Sequence, residues 1–354
     1  MNIQSRTFEV AIKVLILICA LICSTIIWAQ TPTDGAYAST TNAFYSYSEM
    51  NNKVRLASVN VEAKSVRMQA TVNSAYDDIK PRLTPDGKRL YFSRNFHPAN
   101  AGGTNDPEDI WYADFDETSG NWGEPVHMKS ILNNAGPNYV NNVSASGDTL
   151  ILGNQYLKKG KMRAGLSYSV NVNGEWSVPT PINIVNDYNM SAHAQAFVSL
   201  KNGVIILSVQ RAESIGQRDL FVSFWDGTKA TEPINMGSII NTELEESSPY
   251  LAPDNKTLYF ASKGHSGFGG YDIFVTRRLD DTWTNWSTPE NLGPAVNSEL
   301  DDEFFSVSQC GRYAVFARQI SVHNSDMFEI SLDQLFHKSS APAAMDKGSS
   351  VAAR

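Results

Sequence analysis

Cysteine is scarce in this 354-residue chain: Cys19, Cys23 and Cys310 are all there is. The first two fall inside an apolar N-terminal run. Cys310 is left alone, which excludes an intrachain disulfide or a paired-thiol metal or redox motif in the remainder. The six histidines, at 97, 127, 193, 265, 323 and 337, show none of the close spacings of a zinc site. No long hydrophobic run follows residue 29, and no extended stretch spaces its apolar residues by three and four. Transmembrane spans and long amphipathic helices are therefore not expected in the mature chain. Positive charge is also short. With 29 Lys and Arg against 37 Asp and Glu, the net charge is −8, which gives no electrostatic reason to hold nucleic acid.

What is present begins with a leader. Arg6 and Lys13 precede the apolar run 14–29, and the polar "QTPTDG" follows. A basic start, an apolar centre and a small residue at the exit predict a secretory signal peptide over 1–30, cleaved near Ala29–Thr31. The rival reading is an uncleaved anchor, since the run is only slightly short for a span. The pattern predicts a linker over 31–41, a folded domain over 42–336, and a disordered tail over 337–354, where small and polar residues dominate. Export without disulfides fits a bacterial envelope, in the periplasm or at the outer membrane.

Hydrophobic residues make up 42% of the chain, enough for a sizeable core. The core is written in a repeat. Gly87, Gly147, Gly203, Asn255 and Gly311 sit in equivalent turns, 52–60 residues apart, and fourteen residues before each stands an asparagine: Asn73, Asn133, Asn189, Asn241 and Asn297. After each turn comes a second phrase: "DIWYADF", "GLSYSVN", "DLFVSFW", "DIFVTRR" or "DMFEISL". A third phrase places Trp and Pro three apart, in "WGEP", "WSVP" and "WSTP". The pieces are short, rich in β-branched and aromatic residues, and bounded by Gly, Asn, Asp and Pro, so they read as strands. Units of this length with four strands each predict an all-β protein, a β-propeller of four-stranded blades. One such sheet cannot bury both its faces, so each apolar "LYF"-type run should lie between blades. Three further strand-like pieces precede Asn73 within residues 42–73. They favour six blades; if one of them instead completes the last unit, which lacks its Trp-Pro strand, there are five.

The phrases "LTPDGKRLYFSR", "LAPDNKTLYFASKGHSGFGGYDIFVTRR" and "WSTPENLGPAVNSELDDEFFSVS" resemble the WD-like repeats of TolB-type propellers, and most closely the propeller regions of OmpA-family envelope proteins. The resemblance covers roughly residues 42–332 and bears on fold more than on function. It implies a non-enzymatic scaffold, alone or in a complex, that binds an envelope protein or a cell-wall or glycan ligand.

Candidate binding residues follow from the repeat. Acidic pairs Asp77–Asp78, Glu245–Glu246 and Asp301–Asp302 stand just before the innermost strand of their units, which places them at one mouth of a central channel. "GPNY" and "SAHAQ" interrupt the pattern in units two and three, and His193 takes the acid's place. Such a rim suits a basic or hydroxyl-rich partner, or Ca²⁺, which takes oxygen ligands; no other cofactor or metal is implied. The plainer alternative is that one acid of each pair caps a turn or pairs with an arginine such as Arg82 or Arg94. The insertions "NFHPANAGGTNDPED" and "GHSGFGG" read as flexible loops projecting on one face, and they nominate His97, His265 and Phe268 for loop-face binding. The glycines of the second insertion join two strands and do not open a helix, which argues against a phosphate cradle. No catalytic residue is assigned in the scaffold reading. Two readings stand beside it: a carbohydrate-active enzyme or lectin using the inner acids, with Asp78, Glu246 and Asp302 first to test, and a structural protein that binds nothing tightly.

Overall fold

The computed structural model describes residues 59–129, 131–309, 311–322 and 324–336. The signal peptide, the linker, the tail, the first N-terminal strand prediction and most of the second, over 53–60, lie outside those residues. The described chain is a five-bladed β-propeller. It begins with β1 (Val66–Arg67) and runs into the first blade: β2 (Asp78–Leu83), β3 (Arg89–Arg94), β4 (Asp109–Asp116), β5 (Asn121–Trp122) and β6 (Val126–His127), the last two both pairing with β4. The second blade is β7 (Val140–Val143), β8 (Thr149–Tyr156), β9 (Met162–Val172), β10 (Glu175–Trp176) and β11 (Thr180–Ile182). The third is β12 (Gln195–Ser199), β13 (Val204–Val209), β14 (Asp219–Phe224) and β15 (Ile234–Asn235). The fourth is β16 (Glu246–Leu251), β17 (Thr257–Ser262), β18 (Asp272–Arg277) and β19 (Glu290–Asn291). The fifth is β20 (Asp302–Val307), β21 (Tyr313–Ser321) and β22 (Asn324–Ser331), and its outer strand is β1. A short helix, α1 (Leu332–Phe336), follows.

The preference for six blades is thus corrected to five. Val66 pairs with Glu329 and Arg67 with Phe328, so the N-terminal segment supplies the strand that the last unit lacks. One chain end laced into the other's sheet covers an edge that would otherwise be open. The inner strands close a ring: β2 touches β7, β7 touches β12, β12 touches β16, β16 touches β20, and β20 touches β2.

The core is not one mass but five, one at each seam between neighbouring blades. Leu90, Phe92 and Trp111 of the first blade pack against Val315 and Met327 of the fifth. Tyr91, pointing the other way from β3, joins Val140, Leu150 and Leu152 of the second blade. This is the period-two alternation of a strand buried on both faces, and it is why the central strands read as unbroken apolar runs. The remaining seams repeat the device, with Ile205 and Phe221 against Leu166, Phe260 and Phe274 against Leu220, and Phe305 and Phe316 against Tyr259.

Four of the five repeat asparagines tie a blade to the one before it. Asn241 Oδ1 accepts from Leu220 N at 2.8 Å while its Nδ2 donates to Leu220 O at 3.0 Å. Asn297 holds Ile273 in the same two-point grip, and Asn133 holds Ile110. The side-chain amide imitates a neighbouring strand's peptide group and satisfies a buried backbone pair. Asn189 departs from the rule: where it would engage Leu166, that residue pairs with Ile182 of β11, and Asn189 instead donates to His193 O and accepts from Gln210 N, both in its own blade.

Candidate functional site

The structure separates the two members of each acidic pair. The second members are fully buried and act as clamps. Asp78 accepts from Ser74 Oγ at 2.7 Å and from Arg94 Nε at 2.7 Å. Asp302 repeats this with Ser298 Oγ at 2.8 Å and Arg318 Nε at 2.7 Å. Glu246 accepts from Thr242 Oγ1 at 2.7 Å and Ser262 Oγ at 2.8 Å. Burial raises the pKa of all three, and pushes Asp302 up to about 6 against the pull of Arg318. Arg94 is therefore an acid's partner, as the plainer alternative had it. Arg82 is not: buried in the channel, it donates to the carbonyls of Pro81 and Phe304, and burial lowers it to about 10.

Of the first members, Asp77 and Asp301 face the channel mouth and Glu245 does not. A cleft of about 780 Å³ opens there, lined among others by Asp77, Lys80, Glu108, Tyr139, His193, Gln195, Arg218, Asp301, Glu303 and Phe304. Asp77, His193 and Asp301 are thus brought together, with His193 exposed at the rim. Asp301 is partly engaged, accepting from Tyr271 N at 2.8 Å. Asp77 is half-buried, and its carboxylate has no partner among the described residues. Glu245 stands behind Arg218, which donates to it at 3.2 Å, and takes the Tyr271 hydroxyl at 2.6 Å. Burial alone would raise Glu245, but Tyr271 and Arg218 together bring it down to about 2.

Two functional groups escaped the sequence reading. Glu303 follows the third acidic pair directly, and Lys80 lies two residues past Asp78. Both belong to a β-bulge that recurs on inner strands. Lys80 (φ 55°), Ser248 (φ 48°) and Phe304 (φ 61°) occupy the left-handed region at the same repeat position, where the registers of β2, β16 and β20 slip. Strict alternation would send Glu303 and Phe304 to opposite faces; the bulge turns both into the cleft, and Ile79 and Lys80 likewise. Lys80 Nζ pairs with Glu108 at 2.5 Å and sits 4.0 Å above the Tyr139 ring centre. Glu303 Oε1 lies 2.6 Å from Ser247 Oγ and 3.0 Å from Ser248 Oγ. Burial raises the Glu303 pKa, against the charge of Arg218. A proline just after the bulge, at Pro81 and Pro249, was the available signal for Lys80; β20 has Phe305 at that place, and nothing marked Glu303.

The loop-face residues lie outside this lining. His97 packs edge-on between Tyr76 and Trp111, and burial lowers its pKa. His265 Nε2 lies 2.8 Å from Ile240 O, with its ring against Phe260 and Phe274. Phe268 exposes its ring, but its backbone N–H donates to the buried Asp272 at 2.6 Å. The "GHSGFGG" segment, expected as a flexible hairpin, is tied by backbone N–H groups to the side chains of Asp272 and Ser262. A Cβ on Gly270 would sit 2.0 Å from Asp301 Oδ1, so glycine is there for close packing. Among the described residues no three His, Cys, Asp or Glu side chains are grouped to hold a metal ion, and no helix is long and apolar enough to cross a membrane.

No protein-family model matches the chain, and no curated protein matches it. Similar solved structures include a GH43_12 protein from a capybara gut metagenome (14% identity, TM-score 0.45, covering 78% of this chain and 54% of that one). Others are the GH43B of a Bacteroides ovatus xyloglucan locus (14%, 0.48, 75% and 54%) and an α-L-arabinofuranosidase from Lactobacillus brevis (10%, 0.45, 74% and 94%). The chain spans a little over half the length of the first two. These are likenesses of fold. The expectation of a non-enzymatic scaffold is corrected at this point: the solved structures it resembles are mostly glycoside hydrolases, and Asp77 in the channel mouth has no side-chain partner among the described residues.

Proposed function

We propose that the protein is a glycoside hydrolase that binds a sugar chain in the channel-mouth cleft. One observation carries this reading: Glu303 and Asp77, on the adjoining blades of β20 and β2, line the same cleft in contrasting environments. Glu303 is kept toward its neutral form by burial and is equipped to give a proton to a glycosidic oxygen. Asp77 has no side-chain partner among the described residues and is the carboxylate that meets the positive charge developing on the sugar ring. The Lys80–Glu108 pair and Tyr139 line the same cleft. Phe96, half-exposed on the lining, offers an apolar face to a sugar ring. Export through the leader is part of the proposal and puts the activity in the envelope or outside the cell, where polymeric sugars are met. Kinship with TolB-type repeats belongs to it as well: it accounts for the wording of the blades, and the chemistry lies in the cleft they enclose.

The test is a hydrolysis screen on aryl glycosides and polysaccharides with the folded wild type, followed by Glu303→Gln and Asp77→Asn on any substrate cleaved. Each variant should lose about 10²–10⁴ of kcat while KM changes little. Hydrolysis that survives both substitutions removes this site. A protein that neither cleaves nor binds any glycan in the panel removes the function.

A further inference from the structure

Gln195, Ser247, Ser248 and Glu303 come from three blades, on β12, β16 and β20, and meet beside the cleft. Ser248 N donates to Gln195 Oε1 at 2.7 Å, so the amide presents its oxygen to the serines. Ser247 Oγ makes a hydrogen-bond contact with that same oxygen and lies 2.6 Å from Glu303 Oε1. A serine hydroxyl has one proton to give. Here it stands between two oxygens, one an amide carbonyl that brings no proton. With Glu303 ionised, one of the two contacts would be oxygen facing oxygen with no hydrogen between them. A neutral Glu303 completes the count: its Oε1–H donates to Ser247 Oγ, and the Ser247 hydroxyl donates to Gln195 Oε1.

We propose that Gln195 and Ser247 are positioning residues that hold a proton on Glu303 in the resting protein, the amide oxygen turning the serine hydroxyl away from the carboxyl. This rests on the role given to Glu303 above and deepens it. When the carboxyl turns about its terminal bond, a broad two-fold torsion, the proton passes to the bound glycosidic oxygen. Glu303 is left ionised, and the Ser247 hydroxyl can then swing to it. Other charges face Glu303 as well. Arg218 favours the ionised form and is itself engaged by Glu245, while Asp301 opposes it; Tyr271 is near, and Asp77 and Lys80 line the same cleft.

The test is a carboxyl ¹³C titration of the substrate-free protein labelled at glutamate Cδ, with the Glu303 signal assigned through Glu303→Gln. In the wild type Glu303 should titrate above the ordinary glutamate range. Gln195→Leu frees the Ser247 proton for the carboxylate and should lower that midpoint by about one unit, and Ser247→Ala, which removes the acceptor of the Glu303 proton, should lower it as well. The opposite pattern, with Gln195→Leu neutral and Ser247→Ala raising the midpoint, overturns the proposal. So does a wild-type midpoint in the ordinary range, which needs no variant to fold. Because no substrate is present, the relay can stand where hydrolysis fails, and fail where hydrolysis stands.

Discussion

Asn73 grips Met327 across 254 residues of chain: its Oδ1 accepts from Met327 N at 2.8 Å and its Nδ2 donates to Met327 O at 3.1 Å. The same grip that joins consecutive blades elsewhere here joins the first blade to the last, and the ring closes through it. Asn73→Ala strands a buried peptide group and should cost about 2–3 kcal/mol in denaturant unfolding. Asn189→Ala, at the position where the grip is absent, should cost under about 1 kcal/mol. Equal losses at the two sites would show that the blade-to-blade contact is not what the asparagine contributes.

The Lys80–Glu108 pair is almost buried, with side chains 12% and 9% exposed. Lys80→Met leaves Glu108 without its charge partner and should destabilise by about 3 kcal/mol. Lys80→Met combined with Glu108→Leu should recover most of that loss, because the uncompensated charge is gone as well. A double-mutant cycle by chemical denaturation reads both numbers.

Stability should carry a pH signature from Asp302. Its folded pKa, about 6, stands above the ordinary value of 3.8. The native state therefore binds the proton more tightly than the unfolded chain does. The stability from this group is full below pH about 4 and is lost as the pH rises through about 6. Melting temperatures from pH 4 to pH 7 should fall in the wild type more steeply than in Asp302→Asn, the difference amounting to about 2–3 kcal/mol. Parallel profiles would show that Asp302 titrates in its ordinary range.

Gly270→Ala sets a methyl group against Asp301 Oδ1 and should displace that carboxylate from Tyr271 N. The expected cost is about 1–3 kcal/mol, with a change in glycan binding at the cleft that Gly120→Ala, in an open turn, does not share. Isothermal titration with a glycan that the wild type binds compares the two.

Composition and repetition carried the fold a long way. The turn residues at Gly87, Gly147, Gly203, Asn255 and Gly311 and the asparagine before each blade follow from local rules. A strand buried on both faces must be apolar throughout, and a turn must tolerate positive φ. The division of labour within each acidic pair was not legible. Asp77 and Asp78 are neighbours of one type, and only the pleat of β2 makes one a clamp and leaves the other in the cleft.

The sequence by itself determined the architecture, because four-stranded units that cannot bury both faces alone must stack, and a regular repeat records how. Only the tertiary structure decided the number of blades and the site. Closure depends on β1 meeting β22, a pairing of distant segments that no local pattern encodes. The bulge at Phe304 breaks the alternation by which an inner strand's facing is read, and so turns Glu303 into the cleft beside side chains from two other blades.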